Sequence, residues 1–348
     1  MINWALHSPG GQRPALPAFF TPVFLVGVCL CLAPVDALAS NDNFRLSNMA
    51  TSDQDWDISV PEHQQYLFDN FMRDLGSIIS YKYSFPASTT GLYGFDVGLD
   101  IIMAPINTDP VCPDDIDAGA CTEDNRNKWS PWAVIDSDHR LTLGKLYPVP
   151  GLRVRKGLPW SVELGTGIYA LPFSSQAVLQ GFGRWAINEG FDRGYPRIAP
   201  DINLTLAGSR LVGNPEFDLG VFDWGMTFGY QFPIGGVARS HTGDFAFWGG
   251  FGRSVMTAVP DMQLPDTLSC LQGRTGRLGD QVGDTSACGI TDPVTGDVSR
   301  AVIYDDTFAP WKGSFGLRVY SNPFELTLAG ELVQKGVNTL TLRGGFYF

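Results

Sequence analysis

"NTLTLRGGFYF", residues 338–348, is the stretch on which the fold turns. Leu340, Leu342, Phe346 and Phe348 fall on one face with Gly344 between them, and Thr339, Thr341, Arg343, Gly345 and Tyr347 fall on the other. Residues two apart share a side in an extended chain, so this is a strand with one face in an apolar medium and one in a polar medium. The pattern leaves open which medium is the inside.

The same alternation recurs along most of the chain. Tyr93, Phe95, Val97, Leu99 and Ile101 oppose Gly94, Asp96, Gly98 and Asp100. Trp160, Val162, Leu164 and Ile168 oppose Ser161, Glu163, Gly165 and Gly167, and Ile202, Leu204 and Leu206 oppose Asp201, Asn203 and Thr205. Trp311, Phe315, Leu317 and Val319 oppose Lys312, Ser314 and Arg318; Phe324, Leu326, Leu328 and Leu332 oppose Glu325, Thr327 and Glu331. A soluble sandwich also alternates, but its solvent faces carry many Lys and Glu and its strands are shorter. Here the polar faces are Gly, Ser and Thr with scattered carboxylates and arginines, and the runs reach the roughly 9–11 residues that cross a bilayer on a slant. Trp160, Tyr169, Trp311, Tyr320, Phe324, Phe346 and Tyr347 sit near run ends, where interfacial aromatics belong. Small and charged residues inside with large apolar residues outside describe an all-β chain: a transmembrane antiparallel up-and-down β-barrel.

The front of the chain reads differently. Arg13, the apolar stretch "AFFTPVFLVGVCLCLAP" and "ALA" at Ala37–Ala39 predict a secretory signal peptide over 1–39. Pro22 and Pro34 shorten the apolar run against an uncleaved anchor, and the residues before Cys29 and Cys31 do not suit lipid modification. Removing one basic and one acidic residue leaves the formal charge of −12 unchanged, which argues against nucleic acid as a partner. Four cysteines remain as two local couples, Cys112 with Cys121 and Cys270 with Cys288, which predicts two disulfides made in an oxidising compartment.

Residues 40–75 form an N-terminal segment ahead of a barrel at 76–348. Ser59 and Glu62 make a capping box, and Phe68, Phe71, Met72 and Leu75 follow at helical spacing before Gly76. This short amphipathic helix would plug the lumen, lie on the inner membrane surface or dock a periplasmic partner. Strands are expected at 76–85, 91–104, 129–136, 139–148, 158–171, 175–189, 197–211, 216–231, 243–258, 308–321, 323–334 and 338–348. That makes twelve; ten remain if 129–136, broken by Pro131, is dropped and 76–85 joins a plug. Twelve strands put the acidic loop 105–128 on the periplasmic side, ten put it outside. A parity change between Phe217, Leu219, Val221 and Trp224, Met226, Phe228, Tyr230 predicts a β-bulge near Phe222-Asp223.

The dyad repeats, the leader and the terminal "GGFYF" resemble Gram-negative outer-membrane β-barrel proteins of the porin and transporter type. The resemblance covers about 76–348 and implies residence in the outer membrane among its lipids. It also implies recognition of Phe346 and Phe348 by the barrel-assembly machinery, with Phe348 facing lipid at the periplasmic rim.

The lumenal faces collect Asp96, Asp100, Glu163, Arg184, Arg197, Asp201, Asp223, Arg318, Glu325, Glu331 and Arg343. These either line a selective pore or fill a narrow lumen as ion pairs. The expected function is a narrow channel or passive transporter for small solutes, with a structural or docking role as the alternative. His139 with Ser137, Asp136 and Asp138 offers a weaker hydrolase reading at the outer rim, since the order and third partner of known sites are missing. Asp109, Asp114, Asp115, Asp117, Glu123 and Asp124 depart from calcium-loop spacing and read as a solvated acidic loop. No metal or cofactor is expected.

Overall fold

Ten long strands pair in sequence and then close on themselves. The computed structural model describes residues 44, 61–92, 94–106, 132, 145–172, 174–188, 200–214, 217–234, 243–260 and 306–348, with backbone alone at 61–66, 233–234, 260 and 306. The strands are β1 Phe95–Pro105, β2 Leu146–Leu158, β3 Val162–Ala170, β4 Ala177–Asn188, β5 Asp201–Val212 and β6 Phe217–Ile234. They continue as β7 Gly243–Pro260, β8 Asp306–Phe308, β9 Trp311–Ser321, β10 Phe324–Val333 and β11 Thr339–Tyr347. Short β8 and long β9 lie one after the other along β7, so together they occupy one position in the wall. β6 pairs with β7, and β1 pairs with both β2 and β11, which leaves no edge. Closure is what a sheet in lipid requires, because hydrocarbon offers no partner to an unpaired N–H or C=O.

The ten-strand count therefore holds and the twelve-strand count is corrected. Residues 76–79 end a helix, α1 (Pro61–Ile79), and Ser80–Thr90 run through the interior outside the barrel ladder. The helix continues one turn past Gly76, where the sequence suggested a stop. Within 129–136 only Trp132 is described, and its backbone is helical. The strands expected at 139–148 and 158–171 are replaced by β2 and β3, joined at Pro159–Ser161. Trp160 and Ser161 both take positive φ there, 62° and 56°, a hairpin turn made without the usual Asn or Gly. Pro148 and Pro150 in β2 also disguised that strand. Gly157 donates its N–H to Gly94 O, and Ile106 donates to Lys145 O, so odd residues of β2 bond to β1 and even ones point toward β3. The β3 ladder starts only at Gly151, so neither proline interrupts a bond.

β6 carries no bulge at Phe222-Asp223: its register with β5 and β7 is continuous, and the irregularity falls instead between Ala186 and Asn188 of β4. Phe217, Leu219 and Val221 keep the parity of the strand and face inward, where α1 meets them. The apparent change of face was an apolar stretch of the lumen.

Outside, Leu99, Phe315, Leu326 and Leu332 are each more than half exposed, while the charged side chains on the opposite parity are buried. That inverted distribution suits a barrel in hydrocarbon and no soluble β-protein. Segments 106–145 and 261–305 both begin and end at the rim opposite the chain end. The acidic loop thus follows the ten-strand arrangement.

Candidate functional site

The lumen is occupied from one rim to the other by the chain's own N-terminal segment. At the loop rim α1 buries Leu67, Phe68, Phe71, Met72, Leu75, Ile78 and Ile79 against the upper ends of β1 to β7 and against Val337 of the last turn. Phe71 sits 5.3 Å from Trp132, 5.4 Å from Phe44 and 6.3 Å from Phe217, ring centre to ring centre, in edge-to-face contacts. Burying so many large side chains of one 19-residue helix is an apolar closure of the mouth.

Below the helix the closure is ionic. Lys82 donates to Glu331 Oε2 at 2.9 Å and to Ser77 O at 2.6 Å. Lys312 pairs with Asp223 Oδ1 at 2.6 Å, and the other oxygen of Asp223 accepts from the Tyr81 N–H at 2.8 Å. Tyr83 reaches across to β6 and β7, where a Cβ on Gly225 or Gly252 would lie 2.4 or 2.5 Å from its hydroxyl. These two glycines are register partners, so the wall is hollowed at the point where the ring enters. Trp248 Nε1 donates to Tyr83 O at 2.9 Å and covers inward-facing Gly316.

Nearer the chain-end rim the arginines gather. Cross-strand register places Asp96 opposite Arg155, Asp100 opposite Arg343, and Glu163 opposite Arg184, so each acid and its partner project from adjacent inward positions. Arg343 reaches Asp100 at 2.9 Å and Asp96 at 2.7 Å; Arg155 bonds to Asp96 and reaches Glu163 and Glu325 at 3.4 and 3.2 Å. Arg184 bonds to Glu163 at 2.8 Å and to Pro86 O. Arg153 is ion-paired with Asp100 at 2.9 Å and donates to the Tyr169 hydroxyl, which itself donates to Asp100. Arg318 pairs with Asp244 at 2.8 Å. In the midst of them stands Phe85, with the guanidinium carbons of Arg155, Arg343, Arg153 and Arg184 at 4.0, 4.8, 5.1 and 5.4 Å from its ring centre.

Among the described residues, the ion-paired groups below the helix match in number. Five arginines face five carboxylates in the lower set, and Lys82 and Lys312 face Asp223 and Glu331 in the upper. Side chains paired this way satisfy one another. The chemical capacity of the arrangement is to hold a segment in place.

Of the charges expected in the lumen, Asp96, Asp100, Glu163, Arg184, Asp201, Asp223, Arg318, Glu325, Glu331 and Arg343 lie on the inner face and are buried. Arg197 lies outside the described residues, as do Cys112, Cys121, Cys270, Cys288, Ser137, Asp138, His139, the 1–39 leader and the Ser59 cap. Arg153 and Arg155 were missed because their strand was divided, though Leu152 and Val154 alternate with them and carry the signal. Lys82 was missed because nothing local marks a lysine as bound for the interior. Lys312 shares the parity of Ser314 and Arg318 and was legible. Among the described residues no group of three or more His, Cys, Asp or Glu is placed to hold a metal ion.

No protein-family model matches the chain, and no curated protein matches it either. Among solved structures it is similar to Ail, the attachment invasion locus protein of Yersinia pestis, at 10% identity over 74% of this chain and 99% of that one, TM-score 0.23. It is also similar to the outer membrane protein Omp33 of Acinetobacter baumannii, at 9% identity over 75% of this chain and 100% of that one, TM-score 0.25. LpxR from Salmonella typhimurium matches at 10% identity over 58% of this chain and 72% of that one, TM-score 0.26. Likenesses this distant say nothing of activity. The chain is a β-barrel of the outer-membrane class, on the strength of its closed ladder, lipid-facing apolar exterior and polar lumen.

Proposed function

We propose that this barrel resides in the outer membrane of a Gram-negative cell as a closed structure, and that it works at its exterior rim as a docking or structural component. The observation that carries the reading is the buried N-terminal segment: an apolar helix across the mouth and, beneath it, a charge-balanced network whose members are almost wholly buried. A resting pore would need a continuous hydrated path past Phe71, Tyr83 and Phe85, and these side chains are packed against the wall. The barrel's companions in the membrane are the lipids around the belt and, during biogenesis, the machinery that inserts barrels.

Passage of small solutes remains a second mode, favoured by one observation. The closing segment is held by hydrogen bonds, ion pairs and packing, all of which can be exchanged for water or a solute. Planar-bilayer recording on the purified full chain tests both readings. The closed reading expects a quiet membrane with rare, brief openings at most; steady conductance from the unmodified protein overturns it.

A further inference from the structure

Among the described strand residues that face outward, Lys156, Arg210, Asp218 and Arg253 carry charge. Three of them are accounted for. Arg210 and Asp218 pair with each other at 2.6 Å, and Lys156 donates to Leu92 O and Gly94 O at the chain-end rim, at 3.4 and 3.3 Å. Arg253 is different. Ser254 and Met256 are buried in the lumen, so Arg253 points outward on β7 between Phe251 and Val255. Register sets Trp224 of β6 on one side of it and Trp311 of β9 on the other, both outward. The two indoles lean together across β7 and meet edge to face, with ring centres 6.0 Å apart.

The guanidinium is fixed at two points. Its carbon lies 5.6 Å from the centre of the Trp311 ring, and Nε donates to Ala309 O at 3.2 Å. That carbonyl is within reach because Ala309 and Pro310 separate β8 from β9, while the Ser254 N–H takes Pro310 O at 3.1 Å. An arginine tied to the wall in this way does not extend its head toward water as a free one does. Among the described residues it meets no carboxylate, so its two terminal nitrogens remain for another acceptor.

Depth indicates what that acceptor is. Arg253 stands ten residues along β7 from Gly243, which pairs with Ser321 at the chain-end rim. At about 3.3 Å per residue and a tilt near 40°, it lies roughly 25 Å up the wall, the height of the apolar band of such barrels. Beyond it the outward positions of β7 and β8 include Thr257 and Thr307. The guanidinium therefore stands where hydrocarbon gives way to headgroups, and a planar fork of N–H donors matches two phosphate oxygens.

We infer that Arg253, Trp224 and Trp311 form a binding site for the headgroup of an anionic phospholipid in the leaflet away from the chain-end rim. The guanidinium pairs with the phosphodiester, and the two indoles pack on the glycerol backbone and the first methylenes of the acyl chains. A zwitterionic lipid presents the same phosphate beside its own ammonium, which competes for it, so the site selects net negative charge. The inference rests on the membrane residence proposed above.

The test uses the refolded full chain with phosphatidylglycerol and phosphatidylcholine of identical acyl chains. Flotation with vesicles of the two lipids reports insertion, and native mass spectrometry from micelles holding equal amounts of both reports which lipid stays bound. The parent should retain phosphatidylglycerol several-fold over phosphatidylcholine. Arg253→Gln should bring the ratio close to one, and Lys156→Gln should leave it at the parent's value. If Arg253→Gln does not fold, as judged by heat-dependent gel mobility, Arg253→Met takes its place with the same expectation, since its side chain suits hydrocarbon. A parent that floats without preferring phosphatidylglycerol, or a loss of preference as large in Lys156→Gln, overturns the site alone. Displacement of the lipid by equimolar inorganic phosphate also overturns it, because recognition would then lie in free phosphate. A parent that does not float with the vesicles overturns membrane residence and the site together.

Discussion

Arg343 shows how much a single inward position carries. Its guanidinium joins Asp96 to Asp100 across β1 while stacking over Gly98, where any Cβ would lie within 2.6 Å of it. Arg343→Ala leaves Asp96 with Arg155 alone and Asp100 with Arg153 alone, so the lower network loses a cation at its centre. Removing one partner of a buried pair costs about 3–5 kcal/mol, and urea unfolding of the refolded barrel should show a loss of that order. Arg343→Lys is expected to recover only part of it, because an ammonium lacks the planar guanidinium whose two separate terminal nitrogens meet Asp100 and Asp96. Asp74 behaves in the opposite sense. On α1, beside Trp132 Nε1 at 2.9 Å, burial lifts its carboxyl from 3.8 to about 6. A raised acid binds its proton more tightly in the folded state, so its contribution is complete below about pH 4 and is lost as pH climbs through 6. The gap corresponds to roughly 3 kcal/mol at most. Asp74→Asn, which keeps an acceptor for Trp132, should therefore unfold at higher urea than the parent at pH 7.5, with the difference fading toward pH 4.

At the scale of elements, the segment Ser80–Thr90 and the hairpin β6–β7 were shaped together. Tyr83 fills the hollow left by Gly225 and Gly252, and Gly252→Ala would put a methyl 2.5 Å from its hydroxyl. That variant should unseat the segment and bring current fluctuations to a bilayer recording that the parent leaves quiet. Tyr83→Phe in the same chain is expected to relieve only the side-chain part of this, because the added methyl would also lie 2.6 Å from Trp224 O of the facing backbone. If Gly252→Ala stays silent and protease-resistant through residues 80–90, the seating is not set here. The same fit explains a misleading passage of sequence. Phe217, Leu219 and Val221 resemble a lipid face, yet α1 makes that end of the lumen apolar, and they face inward. An alternation rule that assumes a wet interior assigns such residues to the wrong side.

For the whole molecule the exterior belt and the terminal strand are the relevant features. Phe348 is exposed at the chain-end rim, and its backbone bonds to Phe95 help fasten the seam between β1 and β11. Deleting Phe348 removes both the aromatic end group and the two backbone bonds to Phe95. The heat-modifiable, membrane-inserted fraction should fall several-fold in cells, while the little that does insert should retain the parent's urea midpoint to within about 1 kcal/mol. Insertion at parental yield would show that assembly does not read this residue.

The dyad alternation sufficed for the barrel itself: a two-residue period in Leu, Phe and Val against Gly, Thr and Arg places one face in hydrocarbon whatever else the chain does, and it put most of the buried charges on the correct side. Near-neighbour chemistry cannot say which acid meets which arginine, since Asp96 and Arg343 are joined only once β1 closes on β11. Nor could it reveal that Lys82, Tyr83 and Phe85 belong to a threaded segment. "YKYSF" has the alternation of a strand, and its place in the lumen follows from long-range contacts with Glu331, Gly252 and the arginines. Local pattern reports the medium on each side of a backbone; what fills a cavity depends on groups distant in sequence meeting inside it.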